Sequence, residues 1–120
     1  MNGYTVSNYY TNGDKVAWLY HDGYGTGWYS EHGIQELCTD PKLCQYIDNE
    51  QLDLAAARLH ELVDKYKLDT YIQYYWSLNI DVMVTELAIH WIPRGKKFIV
   101  HNYDGLETVW LKEDIKWVIV

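Results

Sequence analysis

The chain has 120 residues, of which 48% are hydrophobic and 16% aromatic, and its formal net charge is −7. That length supports one domain, residues 1–120, with a core of its own, and the aromatic content excludes a disordered chain. The acid excess disfavours a partner bound through its phosphate backbone, so polymeric nucleic acid is not expected.

The first predicted element is a hairpin. Asn12-Gly13 lies between the strand-like runs Tyr4–Tyr10 and Lys15–His21 and tolerates the positive φ of a tight turn. In the second run Val16, Trp18 and Tyr20 alternate with Ala17, Leu19 and His21, so both faces of that strand can be apolar. A glycine-rich stretch follows, Asp22-Gly23-Tyr24-Gly25-Thr26-Gly27-Trp28. Its alternating glycines let backbone N–H groups line a concave anion site, and flanking rings could stack on a base. It is not a dinucleotide fingerprint, because the third glycine is misplaced. A wide connection in which glycine merely relieves crowding is the competing reading.

A short helix is predicted from Pro41 to about Ile47, since proline suits a first helical turn. Asp48-Asn49-Glu50-Gln51 then offers an N-cap and a capping box. Beyond it Leu52, Ala55, Ala56, Leu59, Leu62, Val63 and Tyr66 recur at helical spacing. Thr70–Ser77 reads equally as strand or helix. Three turn signals mark the last third: Pro93-Arg94-Gly95-Lys96, Asp104-Gly105, and the acidic link Lys112-Glu113-Asp114. They imply a four-stranded meander of Glu86–Ile92, Lys97–Tyr103, Leu106–Leu111 and Lys116–Val120. The expected class is α+β: a mostly antiparallel sheet, built from an N-terminal hairpin and a C-terminal meander, with one main helix packed on it.

No apolar run reaches the roughly 18–20 residues of a membrane span, and the polar start is no signal peptide. Cys38 and Cys44 are read as reduced thiols of a cytoplasmic protein. Neither their spacing nor that of His21, His32, His60, His90 and His101 forms close metal-binding pairs, although His90 and His101 could face each other across a hairpin. No metal and no cofactor are expected. Ser7, Ser30 and Ser77 sit in no nucleophile pattern, and Asp104 with Glu107 is the one acid/base pair the turns suggest. Trp91, Tyr103, Trp110 and Trp117 either cover a core edge or form a contact surface. Eighteen Trp and Tyr residues exceed what one core holds, so self-association is expected.

The glycine stretch, the segment Thr39–Leu43 and the closing run Trp91–Glu107 with its Tyr-Asp-Gly-x-Glu element resemble a group of small bacteriophage proteins. The pattern extends to Asp114 and Trp117. It is similar to the Thoeris anti-defence sponges, which sequester nucleotide alarm signals without consuming them. The resemblance implies a homo-oligomeric counter-defence protein of the host cytoplasm that binds a small (cyclic) nucleotide. Tyr24, Gly25, Gly27, Trp28, Arg94, Tyr103, Asp104 and Glu107 are the ligand-binding residues this reading names. Such sponges hold phosphates with arginines, and Arg94 is the one arginine in the matched region. Two alternatives stay open: a protein–protein inhibitor of a host defence complex, like an anti-CRISPR, whose acidic surface covers a basic site; and a hydrolase of the same signals.

Overall fold

The computed structural model describes residues 4–6, 8–68 and 80–116. Strands β1 (Tyr4–Val6), β2 (Tyr9–Asn12), β3 (Lys15–His21) and β4 (Leu87–Pro93) form an antiparallel sheet in that order. Strands β5 (Phe98–Tyr103) and β6 (Leu106–Leu111) form a separate two-stranded ribbon. Helices α1 (Tyr29–His32), α2 (Gln35–Thr39), α3 (Pro41–Asp48), α4 (Leu52–Tyr66) and α5 (Ile80–Thr85) complete an α+β fold. Among the described residues no helix is long and apolar enough to cross a membrane.

The first hairpin forms with its turn one residue later than the Asn-Gly pair suggests. Asn12 pairs with Lys15, and the left-handed φ of 63° falls on Gly13, the first central position, where type II′ turns place glycine. The run Tyr4–Tyr10 is not one strand. It folds back on itself, so that Tyr4 pairs with Thr11 and Val6 with Tyr9.

The C-terminal meander is the larger difference. β4 pairs along its whole length with β3, from Lys15–Pro93 to His21–Leu87, and has no ladder with β5. The cause lies in β3. Ala17, Trp18 and Leu19 are all buried, so this strand needs cover on both faces and a neighbour on each edge. β2 fills one edge and β4 the other. The Pro93–Lys96 turn does form, with Lys96 N–H donating to the Pro93 carbonyl at 3.1 Å and Gly95 at φ 81°. It lifts the chain out of the first sheet into the ribbon. The fourth predicted strand, Lys116–Val120, lies outside the described residues beyond Lys116, as do Thr70–Ser77. His90 therefore does not face His101: His90 lies near Tyr20, and His101 stacks on Trp110 at 4.9 Å.

The main helix, α4, buries Ala55, Ala56, Leu59, Leu62 and Val63 on one stripe. The expected capping box is absent. Asp48 is the last residue of α3 and accepts a hydrogen bond from the Tyr10 hydroxyl at 2.7 Å, and Gln51 makes no side-chain cap. The cap belongs instead to α3, where Asp40 accepts from Leu43 N–H at 3.0 Å and Pro41 opens the helix. Arg58 reaches back from α4 and donates to both Asp40 oxygens, at 2.9 and 2.7 Å. This fork fixes one helix against the start of the other.

Candidate functional site

The glycine stretch joins β3 to α1 and lies against the turn of the ribbon. Gly25 N–H donates to the Asp104 carbonyl at 2.6 Å, and a Cβ on Gly105 would overlap the backbone of Gly25. Asp104 and Gly105 have φ values of 51° and 88°, the two positive angles of a type I′ turn. Backbone N–H groups do converge on an anion, but they come from His21, Trp28 and Ser30 rather than from the glycines. That anion is Glu107. Its Oε2 accepts from Trp28 N–H at 3.0 Å, Ser30 N–H at 2.8 Å and the Ser30 hydroxyl at 2.6 Å, while Oε1 accepts from His21 N–H at 2.9 Å. The residue is 1% exposed. A Cβ on Gly27 would crowd Ser30, Asn102 and this carboxylate, which is why that position is glycine.

His21 extends the same network. Its Nδ1 lies 2.8 Å from the Gly105 carbonyl, and its Nε2 meets a carboxylate oxygen of Glu86. Both ring nitrogens are thus held against oxygen atoms of the junction. Asn102 closes the cluster by donating to Ser30 Oγ at 2.7 Å and accepting from Gly105 N–H at 2.8 Å. Together these bonds fasten the ribbon turn to β3 and the glycine stretch.

Gly25, Gly27, Trp28, Asp104 and Glu107 are thus brought together, but as a fastening. Trp28 is fully buried and has no ring face to offer a ligand. Tyr24 and Tyr103, by contrast, are exposed on the rim of this junction. Arg94 lies elsewhere, in the turn after β4. Sequence reasoning missed His21, Glu86, Ser30 and Asn102, although His21 and Ser30 flank the glycine stretch. Cys38 and Cys44 are free and buried. Burial pushes both thiols well up, which makes them poor nucleophiles at neutral pH.

A second feature lies where the ribbon meets the main sheet. A groove of about 700 Å³ is walled by Trp18, Tyr29, Phe98, Val100 and Ile115 and rimmed by Lys96, Lys97 and Lys112. Phe98 packs edge-on against Trp18 with ring centroids 4.8 Å apart, and Tyr29 does so at 5.0 Å. An adjoining hollow of about 350 Å³ shares Trp18, Gln35, Lys96 and Phe98 with it and adds Tyr9 and Arg94. The buried Trp18 indole N–H has no acceptor among the described residues. Three of the ten basic residues of an acidic chain therefore border the groove. Arg94, the one residue of the expected ligand set near it, borders the adjoining hollow. The chain matches no protein-family model, no curated protein and no solved structure.

Proposed function

We propose that this protein binds and holds a small nucleotide without chemistry, as a phage counter-defence sponge for an immune signal would, and that the ligand lies in the groove between ribbon and sheet. The observation that carries this reading is the pairing of rings with cations: Tyr29 and Phe98, half-buried over the core residue Trp18, beside Lys96, Lys97 and Lys112. Ligand sites are mostly apolar clefts of roughly 300–1,000 Å³ with a few placed polar groups, and this groove has that make-up. A net charge of −7 repels anions from most of the surface, so a local lysine cluster is selective for where one settles. Binding without turnover is supported by the Glu107 cluster. Within it His21 and Glu107 are buried and direct their polar atoms to internal partners, and the partly exposed Glu86 is paired with His21.

The test is calorimetric titration with nucleotides beside the double variant Lys97→Glu, Lys112→Glu. A hydrogen bond between a lysine and a phosphate is worth about 1.5–3 kcal/mol. Removing two of them is expected to lower affinity by at least about 100-fold. Both positions are exposed, and the unfolding free energy from urea titration should stay within about 0.5 kcal/mol of the parent. Unchanged affinity in the folded variant would remove the groove from consideration.

The expected self-association is assigned to the outward face of the ribbon. Ile99, Tyr103 and Trp110 are exposed there, and among the described residues β5 and β6 pair with each other alone. A two-fold pairing of this face with a second copy buries the same residues on both chains. Light scattering at ~100 μM should report a dimer, and Trp110→Lys should shift it to monomer. A strict monomer for the parent chain counts against it.

A further inference from the structure

We propose that the lysine end of this groove is a subsite for a dianionic phosphate, which makes the ligand a nucleotide with a terminal phosphate rather than an internal phosphodiester. The inference rests on the groove being the nucleotide site and adds which phosphate it recognises. Lys96, Lys97 and Lys112 line, with Glu113, a cleft of about 370 Å³, and the same three lysines rim the larger groove. Their backbones are fixed. Lys112 N–H donates to the Lys97 carbonyl at 2.8 Å, and Lys96 N–H closes the turn on Pro93. The three side chains therefore leave a hydrogen-bonded base at the open end of the ribbon.

The chain's own anion already marks the subsite. The Glu113 carboxylate takes a hydrogen bond from Lys96 Nζ at 3.0 Å, with both side chains about half exposed. Asp114, the next acid, lines a different hollow with His90 and Trp110. Three lysines against one carboxylate leave two positive charges without an anion among the described residues of the cleft. A terminal phosphate carries about −1.5 to −2 at neutral pH and fills that deficit. A phosphodiester carries a single charge and fills half of it. Tyr29, Phe98, Val100 and Ile115 wall the adjoining groove and give the ring an apolar place beside the phosphate. Glu113 then stays beside the bound phosphate as a neighbouring anion that competes with it for Lys96.

The experiment is calorimetric titration of the full chain with the four nucleoside 5′-monophosphates and their 3′,5′-cyclic counterparts, which differ in phosphate charge but share base and sugar. The 5′-monophosphate of the preferred base should bind about ten-fold tighter or more than its cyclic form. Glu113→Gln should raise affinity for that monophosphate about three-fold by removing the competing anion, whereas a merely structural Glu113 would leave it unchanged or lower it. Equal or tighter binding of the cyclic form overturns the dianion subsite and leaves the groove reading standing. If none of the eight nucleotides binds, the groove reading itself falls, and the dianion subsite falls with it.

Discussion

Replacing Glu107 by Ala is expected to lower the unfolding free energy by about 3–5 kcal/mol, because hydrogen bonds to a buried charged group contribute more than neutral ones. The carboxylate accepts three backbone N–H groups and one hydroxyl. Its removal leaves the amides of His21, Trp28 and Ser30 facing a void. Water entering that space restores part of the loss, which keeps the figure below the sum of four separate bonds. For a domain whose whole stability is of order 5–15 kcal/mol, this is a large share. Glu107→Gln keeps the volume but offers one acceptor oxygen and turns an NH₂ toward a donor. It should cost about 2–3 kcal/mol. Ser30→Ala removes one donor of the four and should cost about 1 kcal/mol. Urea midpoints with unchanged m-values read all three. Nucleotide affinity of the folded variants should match the parent, since the groove residues are not among these partners. A Glu107→Ala cost under about 1 kcal/mol would mean that the cluster does not fasten the ribbon.

What the sequence made legible follows from how local each signal is. The Asp104-Gly105 turn and the α4 stripe announce themselves within a few residues, through positive φ tolerance and through 3.6-residue spacing. α1, α2 and α5 span only four to six residues each, too short for the 3.6-residue period to repeat. The partner of β4 could not be read from its neighbourhood, because the strong turn signal at Pro93–Lys96 points to a hairpin with β5. The deciding fact was in β3, whose two apolar faces require a strand on both edges. The candidate site divides in the same way. The N–H groups of the cradle belong to His21, Trp28 and Ser30 rather than to the glycines, but close backbone approach at Gly25 and Gly27 was readable. What fills the cradle was not, because Glu107 comes from a strand far along the chain. The lysine cleft was obscured for a different reason: Lys112-Glu113-Asp114 reads as an acidic link, although its lysine joins Lys96 and Lys97 once the ribbon forms.

Acid should destabilise this protein through His32 well before its carboxylates are fully protonated. His32 is 7% exposed, packs edge-on against Trp28 at 4.7 Å, and accepts a hydrogen bond from Ile34 N–H on Nδ1 at 2.8 Å. Nε2 therefore carries the proton and has no partner among the described residues. Burial lowers the pKa from 6.5 to about 4, since a charged ring would lose its hydration and its one acceptor role. Between these values the unfolded chain takes up a proton that the folded chain refuses, so stability falls as pH falls. The contribution is complete above about pH 6.5, declines through pH 5, and is exhausted near pH 4, for a total of roughly 3 kcal/mol. His32→Asn retains an acceptor for Ile34 N–H and cannot titrate. That variant should be less stable at pH 7 because the ring is gone, yet lose less on acidification. Urea unfolding of both proteins at intervals from pH 7 to pH 4 separates the two effects, because other groups titrate alike in each. A difference of about 3 kcal/mol in the pH-dependent loss is the expected result. Parallel curves would show that His32 takes up its proton in the folded state as readily as in the unfolded chain, so that its burial does not oppose the charge.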